Sequence, residues 1–215
     1  MNLLTSIVGA TLLVAAALFP IVNPLGSSLI FLGLTGGYSP DVRRSLVRRI
    51  SINSFLLLLV SMLIGTRVLD FFGVSLPVVQ VAGGLVVIAM GWNMLQQNDS
   101  DPDRATSLSP DEASQQAFYP LTLPITVGPG SISVAVALGA NTHRQAYPWP
   151  AQMASSFLGP LIIAISIYIC YRSAEKLEKI LGPTGLSVFI RLSAFIVLCI
   201  GIQILWNGVS ALAHL

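Results

Sequence analysis

The chain has 215 residues, of which 54% are hydrophobic and 9% charged, with a formal net charge of +2. Soluble domains carry about 25% charged residues to solvate their surface. The composition therefore excludes an ordinary water-soluble globule, a disordered chain and a nucleic-acid binder with a basic face. An integral membrane protein remains.

The charges divide the chain by their absence. No Asp, Glu, Lys or Arg occurs between residues 2 and 40, and further gaps cover 50–66, 71–98, 113–142, 145–171 and 192–213. A bilayer crossing takes about 20 apolar residues. The gaps predict six membrane helices with approximate cores at 5–34, 50–68, 76–96, 118–140, 150–171 and 191–212. The runs are too continuously apolar for the alternation of a membrane barrel. The expected class is all-α, a polytopic membrane protein.

The first apolar run lacks the basic flank of a cleavable signal peptide, and Pro20 interrupts it. Pro20 and Pro24 make one straight helix unfavourable, yet Leu25–Leu34 alone is too short to cross. Orientation follows from the basic residues. Loops one, three and five hold Arg43, Arg44, Arg48, Arg49, Arg104, Arg172, Lys176, Lys179 and Arg191, whereas loops two and four hold Arg67 and Arg144. Odd loops are expected in the cytoplasm and both termini outside it. The acids of loop three (Asp99, Asp101, Asp103, Asp111, Glu112) count little in that rule. Segment 171–181 alternates its charges at helical spacing, as a solvated surface helix or helix extension does.

A polar stretch, 98–117, separates residues 1–97 from 118–215, and the two halves look alike. Pro20 aligns with Pro124, Pro24 with Pro129, Leu32-Gly33 with Leu138-Gly139, and Gly91 with Gly201. Three helices per half is an odd number, so the second repeat must be inverted. Inverted repeats with interrupted helices are the pattern of secondary transporters, whose substrates bind at the interruptions.

Helices one and four carry those interruptions, at Asn23-Pro24-Leu25-Gly26 and Gly128-Pro129-Gly130-Ser131. Proline removes a backbone donor, and glycine costs about 1 kcal/mol in a helix interior. In lipid the freed groups need partners within the protein or a wet cavity. Each break starts a half-helix whose amide dipoles favour a carboxylate, with Ser27 or Ser131 in its first turn. The carbonyls that end the preceding segments, near 17–20 and 121–124, would join Asn23, Thr122 and Thr126 in holding an ammonium group or sodium ion. The candidate substrate site is therefore Asn23, Pro24, Gly26, Ser27, Thr122, Thr126, Gly128, Pro129, Gly130 and Ser131. No span centre has a carboxylate to balance a cationic substrate, so a small zwitterion fits best.

Other features read as structural. Cys170 and Cys199 are isolated apolar-segment cysteines, and His143 and His214 form no metal motif. Gly83, Gly84 and Gly91 permit close helix approach. Asn53, Gln80, Asn93 and Asn207 either face the bundle interior or serve as interhelical polar contacts, and Arg191 snorkels at a span end.

The motifs Asn23-Pro-Leu-Gly26, Phe72-Gly-Val-Ser75, Ala82-Gly-Gly84, the string from Pro120 to Ile132, and Arg191-Leu192 with Gly201 resemble the MarC family. The resemblance covers nearly the whole chain. The family is also described as neutral amino acid transporters and is similar to the wider LysE-type exporters. It implies six helices in two inverted repeats, and export of small neutral amino acids such as alanine, glycine or serine. It implies a bacterial inner-membrane protein, in which the orientation read from the basic residues makes both termini periplasmic. No cofactor and no nucleic-acid partner are expected, and sodium and protons are the candidate coupling ions. Two departures stand out: Gln80 where the family usually has Arg, and Ser193-Ala194 where it usually has a Gly after the Arg-Leu pair. Related thiol-electron carriers need paired cysteines on the broken helices, which are absent here. The rival functions are export of drugs or toxic metabolites and a non-transporting scaffold; an enzyme has no support, for want of a nucleophile–base pair or metal ligands.

Overall fold

The computed structural model describes residues 2–35, 37–96, 117–142 and 147–213, and every regular element among them is helical. In chain order these are α1 (Leu3–Val22), α2 (Pro24–Leu34), α3 (Pro40–Phe71) and α4 (Leu76–Gln96). After them come α5 (Ala117–Thr126), α6 (Pro129–Thr142), α7 (Trp149–Arg172) and α8 (Ala174–Ala213). Among the described residues, five stretches are long and apolar enough to cross a membrane: Leu3–Leu34, Pro40–Phe71, Leu76–Asn93, Trp149–Arg172 and Ala194–Ala213. The predicted fourth span is divided into α5 and α6, and its apolar part, Pro129–Ala140, is too short alone. The protein is a polytopic helical membrane protein.

Several boundaries differ from the sequence expectation. Helix α3 begins at Pro40, ten residues ahead of its predicted core, and carries the basic cluster within it. Ser39 caps it by accepting a hydrogen bond from Val42, Pro40 occupies the first turn, and Asp41 complements the dipole there. Segment 174–181 continues into the last helix through an interruption at Gly182, whose φ of 64° leaves the helical region. Ala117, placed in the polar linker by composition, starts α5 and is buried. The rest of that linker, with Arg104 and the acids of loop three, lies outside the described residues, as do His143, Arg144 and His214.

The packing is reciprocal. Helix α1 lies on α7 while α6 lies on α3, α3 and α7 pack together, and α4 pairs with α8. Helix α2 touches α8 as α6 touches α4. The core holds Val14, Leu18, Phe31, Ile50, Leu58, Ala135, Ile163, Ile167 and Tyr171. Large apolar side chains such as Leu12, Leu56, Trp92, Phe157, Phe195 and Trp206 are exposed, which lipid tolerates and water does not.

Glycine brings α4 and α8 together. A Cβ on Gly84 would stand 2.6 Å from the Leu205 nitrogen, and one on Gly91 2.8 Å from the Leu198 nitrogen. Gly201 and Gly208 face back onto the Ile88 and Val81 nitrogens, at 2.7 and 2.8 Å. In lipid, helix pairing relies on such close packing because apolar burial offers no contrast.

Candidate functional site

The first break follows from Pro24, which has no N–H with which to continue the α1 ladder. Asn23 closes α1 in the left-handed region (φ 46°, ψ 62°), donating its N–H to the Phe19 carbonyl at 2.9 Å. Asparagine tolerates this conformation better than other non-glycine residues. Its Oδ1 then accepts from the Gly26 N–H at 3.2 Å, so one residue ends α1 and caps α2. Gly26 is bound to this arrangement: a Cβ there would collide with the Asn23 side chain. Ser27 Oγ donates to the Val22 carbonyl at 3.1 Å and also approaches the Ile125 carbonyl at 3.4 Å. That second contact reaches the other break.

The second break is wound differently. Helix α5 has π-type bonding, with Val127 N–H donating to the Thr122 carbonyl at 2.8 Å. Thr122 Oγ1 and Thr126 Oγ1 each donate to the carbonyl five residues back, Ala117 at 2.6 Å and Leu121 at 2.7 Å. The element is irregular: Tyr119 (φ −127°, ψ 124°) and Leu123 (φ −118°, ψ 118°) leave the helical region. Helix α6 begins at Pro129, and its first ladder bond runs from the Ile132 N–H to the Gly128 carbonyl at 3.1 Å. Gly128 has no side chain, so it cannot cap α6 as Asn23 caps α2.

The two breaks border one cavity of about 370 Å³. Of the ten candidate residues, Asn23, Ser27, Thr126, Gly128, Gly130 and Ser131 line it. Pro24, Gly26, Thr122 and Pro129 do not; they shape the breaks behind the wall. Thr122 is fully buried, with its hydroxyl committed to Ala117. The carbonyls expected to be free are partly engaged as well: Phe19, Leu121 and Thr122 all accept hydrogen bonds. The carbonyls at the two breaks that meet across the cavity wall are those of Val22 and Ile125, bridged by Ser27.

The structure adds walls that the sequence motifs did not single out. Val87 and Asn93 of α4 and Val197 of α8 face the cavity, with Ile30 and Leu34 of α2. Asn93 was legible as an intramembrane polar residue; the valines carried no signal. Gly130 sits against Val87, and a Cβ there would collide with the valine methyl. Among the described residues, no charged side chain lines this cavity. Its polar groups are amides, hydroxyls and backbone, which can orient a dipolar solute without fixing a net charge. Among the described residues, no group of three His, Cys, Asp or Glu could hold a metal ion.

Tyr171 locks the site from behind. Its hydroxyl lies 2.7 Å from Thr126 Oγ1, and its ring packs against Phe31 at a centroid distance of 4.8 Å.

Comparison with known proteins places the chain. The model of the MarC family of integral membrane proteins matches residues 8–213. The inner membrane protein MarC of Escherichia coli O6:H1 is 35% identical over 201 residues, covering 89% of this chain and 90% of that protein. The MarC protein of Salmonella typhimurium is 32% identical over 200 residues, with the same coverage of each chain. No solved structure matches. The chain belongs to the MarC family of integral membrane proteins.

Proposed function

We propose that the chain is a secondary transporter, and an exporter, of small neutral amino acids such as alanine, glycine and serine. One observation carries the reading: two broken helices meet at a single uncharged cavity of about 370 Å³. Ligand cavities run from about 300 to 1,000 Å³, and this one falls at the small end, which favours a small solute over a drug. The substrate carboxylate binds the Gly130 and Ser131 amides at the uncapped start of α6, where the helix dipole is positive. The ammonium group faces the Asn23 and Asn93 side-chain oxygens and the Thr126 hydroxyl. Interrupted helices serve this purpose in other transporter folds, with backbone ends in place of charged side chains.

The reciprocal packing of α1 on α7 and α6 on α3 supports two inverted repeats, 1–97 and 118–215, that rock to alternate access. Arg43 bonds the Thr35 carbonyl at 3.0 Å and pairs with Glu175. It thereby joins the end of α2 and the starts of α3 and α8 at one face. That supports loops one and five sharing one side, which their basic residues assign to the cytoplasm with both termini in the periplasm. The names of the MarC relatives support residence in the bacterial inner membrane. Coupling is to a sodium or proton gradient.

Reconstitution into liposomes with labelled alanine, glycine and serine tests the reading. Saturable flux of at least one, dependent on an imposed sodium or proton gradient, is the expected result. No saturable flux under any gradient would sink it.

A further inference from the structure

A second cavity, of about 300 Å³, opens between the start of α3 and the junction of α7 with α8. Among the described residues, Arg43, Arg44, Arg172 and Lys176 line it with one acid, Glu175, and Tyr171 forms part of its wall. Basic residues near span ends are ordinary for topology. Arg43 is not ordinary. Its side chain is only 15% exposed, and its Nε is buried with no hydrogen-bond partner. A desolvated cationic donor without a partner is costly unless a counter-group completes it. One counter-group is already present, since Arg43 pairs with the exposed carboxylate of Glu175. Arg172 is engaged with Tyr168, through its hydroxyl at 3.3 Å and its ring at 6.0 Å. Arg44 pairs with the exposed Asp41, at 3.6 Å.

The cleft and the central cavity share a wall. Tyr171 lines the cleft, and its hydroxyl holds Thr126, which lines the central cavity. The ring of Phe31 backs the same barrier.

We infer that the cleft is a carboxylate-capture site, in which the substrate's carboxylate displaces Glu175 from Arg43 beside the Tyr171 barrier. Glu175 acts as a tethered competitor, keeping the guanidinium paired while the cleft is empty of solute. The identity of the solute rests on the transporter reading; the carboxylate chemistry rests on the cleft alone. Binding here is weak and salt-sensitive, because the contacts are partly solvated.

The test uses the full chain in nanodiscs of phosphatidylcholine, with sodium acetate and alanine as probes at constant ionic strength. The readout is the thermal unfolding midpoint against probe concentration. Acetate is expected to raise the midpoint saturably. Arg44→Gln with Lys176→Gln should weaken the apparent affinity about fivefold, the scale for losing two solvated ionic contacts. Glu175→Gln should shift it the opposite way, because the competitor is gone. Equal acetate response in all three proteins, or a weakening by Glu175→Gln, overturns the assignment. A midpoint raised by phosphatidylglycerol and not by acetate or alanine also overturns it, making the cleft a lipid-headgroup site. Alanine flux measured alongside separates the two claims. Absent flux with charge-dependent acetate binding retires the transporter reading while supporting the anion site. Normal flux with charge-independent binding retires the capture site alone.

Discussion

The hydroxyls of Thr126 and Tyr171 lie 2.7 Å apart, joining the end of the π-wound α5 to the last turn of α7. Thr126 spends its one hydroxyl proton on its own helix, at the Leu121 carbonyl, so the Tyr171 phenol donates and Thr126 Oγ1 accepts. Both residues are buried, and the contact fixes the wall of the central cavity.

Tyr171→Phe should therefore cost about 1 kcal/mol, the net value of one buried hydrogen bond, since Thr126 keeps its Leu121 acceptor. Tyr171→Ala should cost roughly 3–5 kcal/mol through loss of the ring packed on Phe31. Unfolding in detergent of graded denaturing strength measures both. A larger loss for phenylalanine than for alanine would disprove the packing role.

Asn23 combines a left-handed backbone with the cap of α2, and these demands can be separated. Asn23→Ala should destabilise by about 1–2 kcal/mol, from the backbone conformation and the lost cap together. Asn23→Gly removes the backbone penalty and should fall between alanine and the natural residue. The order of the three unfolding midpoints checks the assignment.

Gly130 tests the cavity. Its missing Cβ leaves room against Val87, so Gly130→Leu should abolish flux while the protein still inserts. Gly130→Ala should impair flux less, and pairing it with Val87→Ala should restore part of the loss. Measured flux for the double variant below that of Gly130→Ala alone would place the obstruction elsewhere.

Gly84 and Gly33 make a matched pair. Gly84→Ala sets a methyl against the Leu205 backbone and should destabilise the α4–α8 pair by about 1–3 kcal/mol, as overpacking does. Nothing lies within 4 Å of a Cβ on Gly33, so Gly33→Ala should stabilise α2 by about 1 kcal/mol. Unfolding midpoints that move the same way would refute the contact-based account.

Much of the fold was readable because charge is intolerable in a hydrocarbon core. The gaps between charged residues located the five long apolar spans, and Pro24 and Pro129 located both breaks, since proline cannot donate. Boundaries were less legible at α3, where Ser39 and Asp41 extend the helix through a charged segment that hydropathy reads as a loop. The candidate site divided in the same way. Asn23, Ser27, Gly128, Gly130 and Ser131 reached the cavity, whereas Pro24, Gly26 and Pro129 form the breaks without lining it, and Thr122, one turn earlier, spends its hydroxyl on its own helix.

Scarcity of charge, read from the sequence alone, established a membrane protein of many spans, and proline and glycine marked where two helices are interrupted. Tertiary structure decided that both interruptions border one cavity, that Asn23 caps one half-helix while Gly128 leaves the other bare, and that Tyr171 stands between two cavities. The reason is physical. Lipid and protein interior are equally apolar, so Val87 and Val197, which face the cavity, carry no mark distinguishing them from valines that face the bilayer. Proline and glycine act on their own backbone and can be read locally; which side chains meet across helices depends on packing that only the assembled bundle sets.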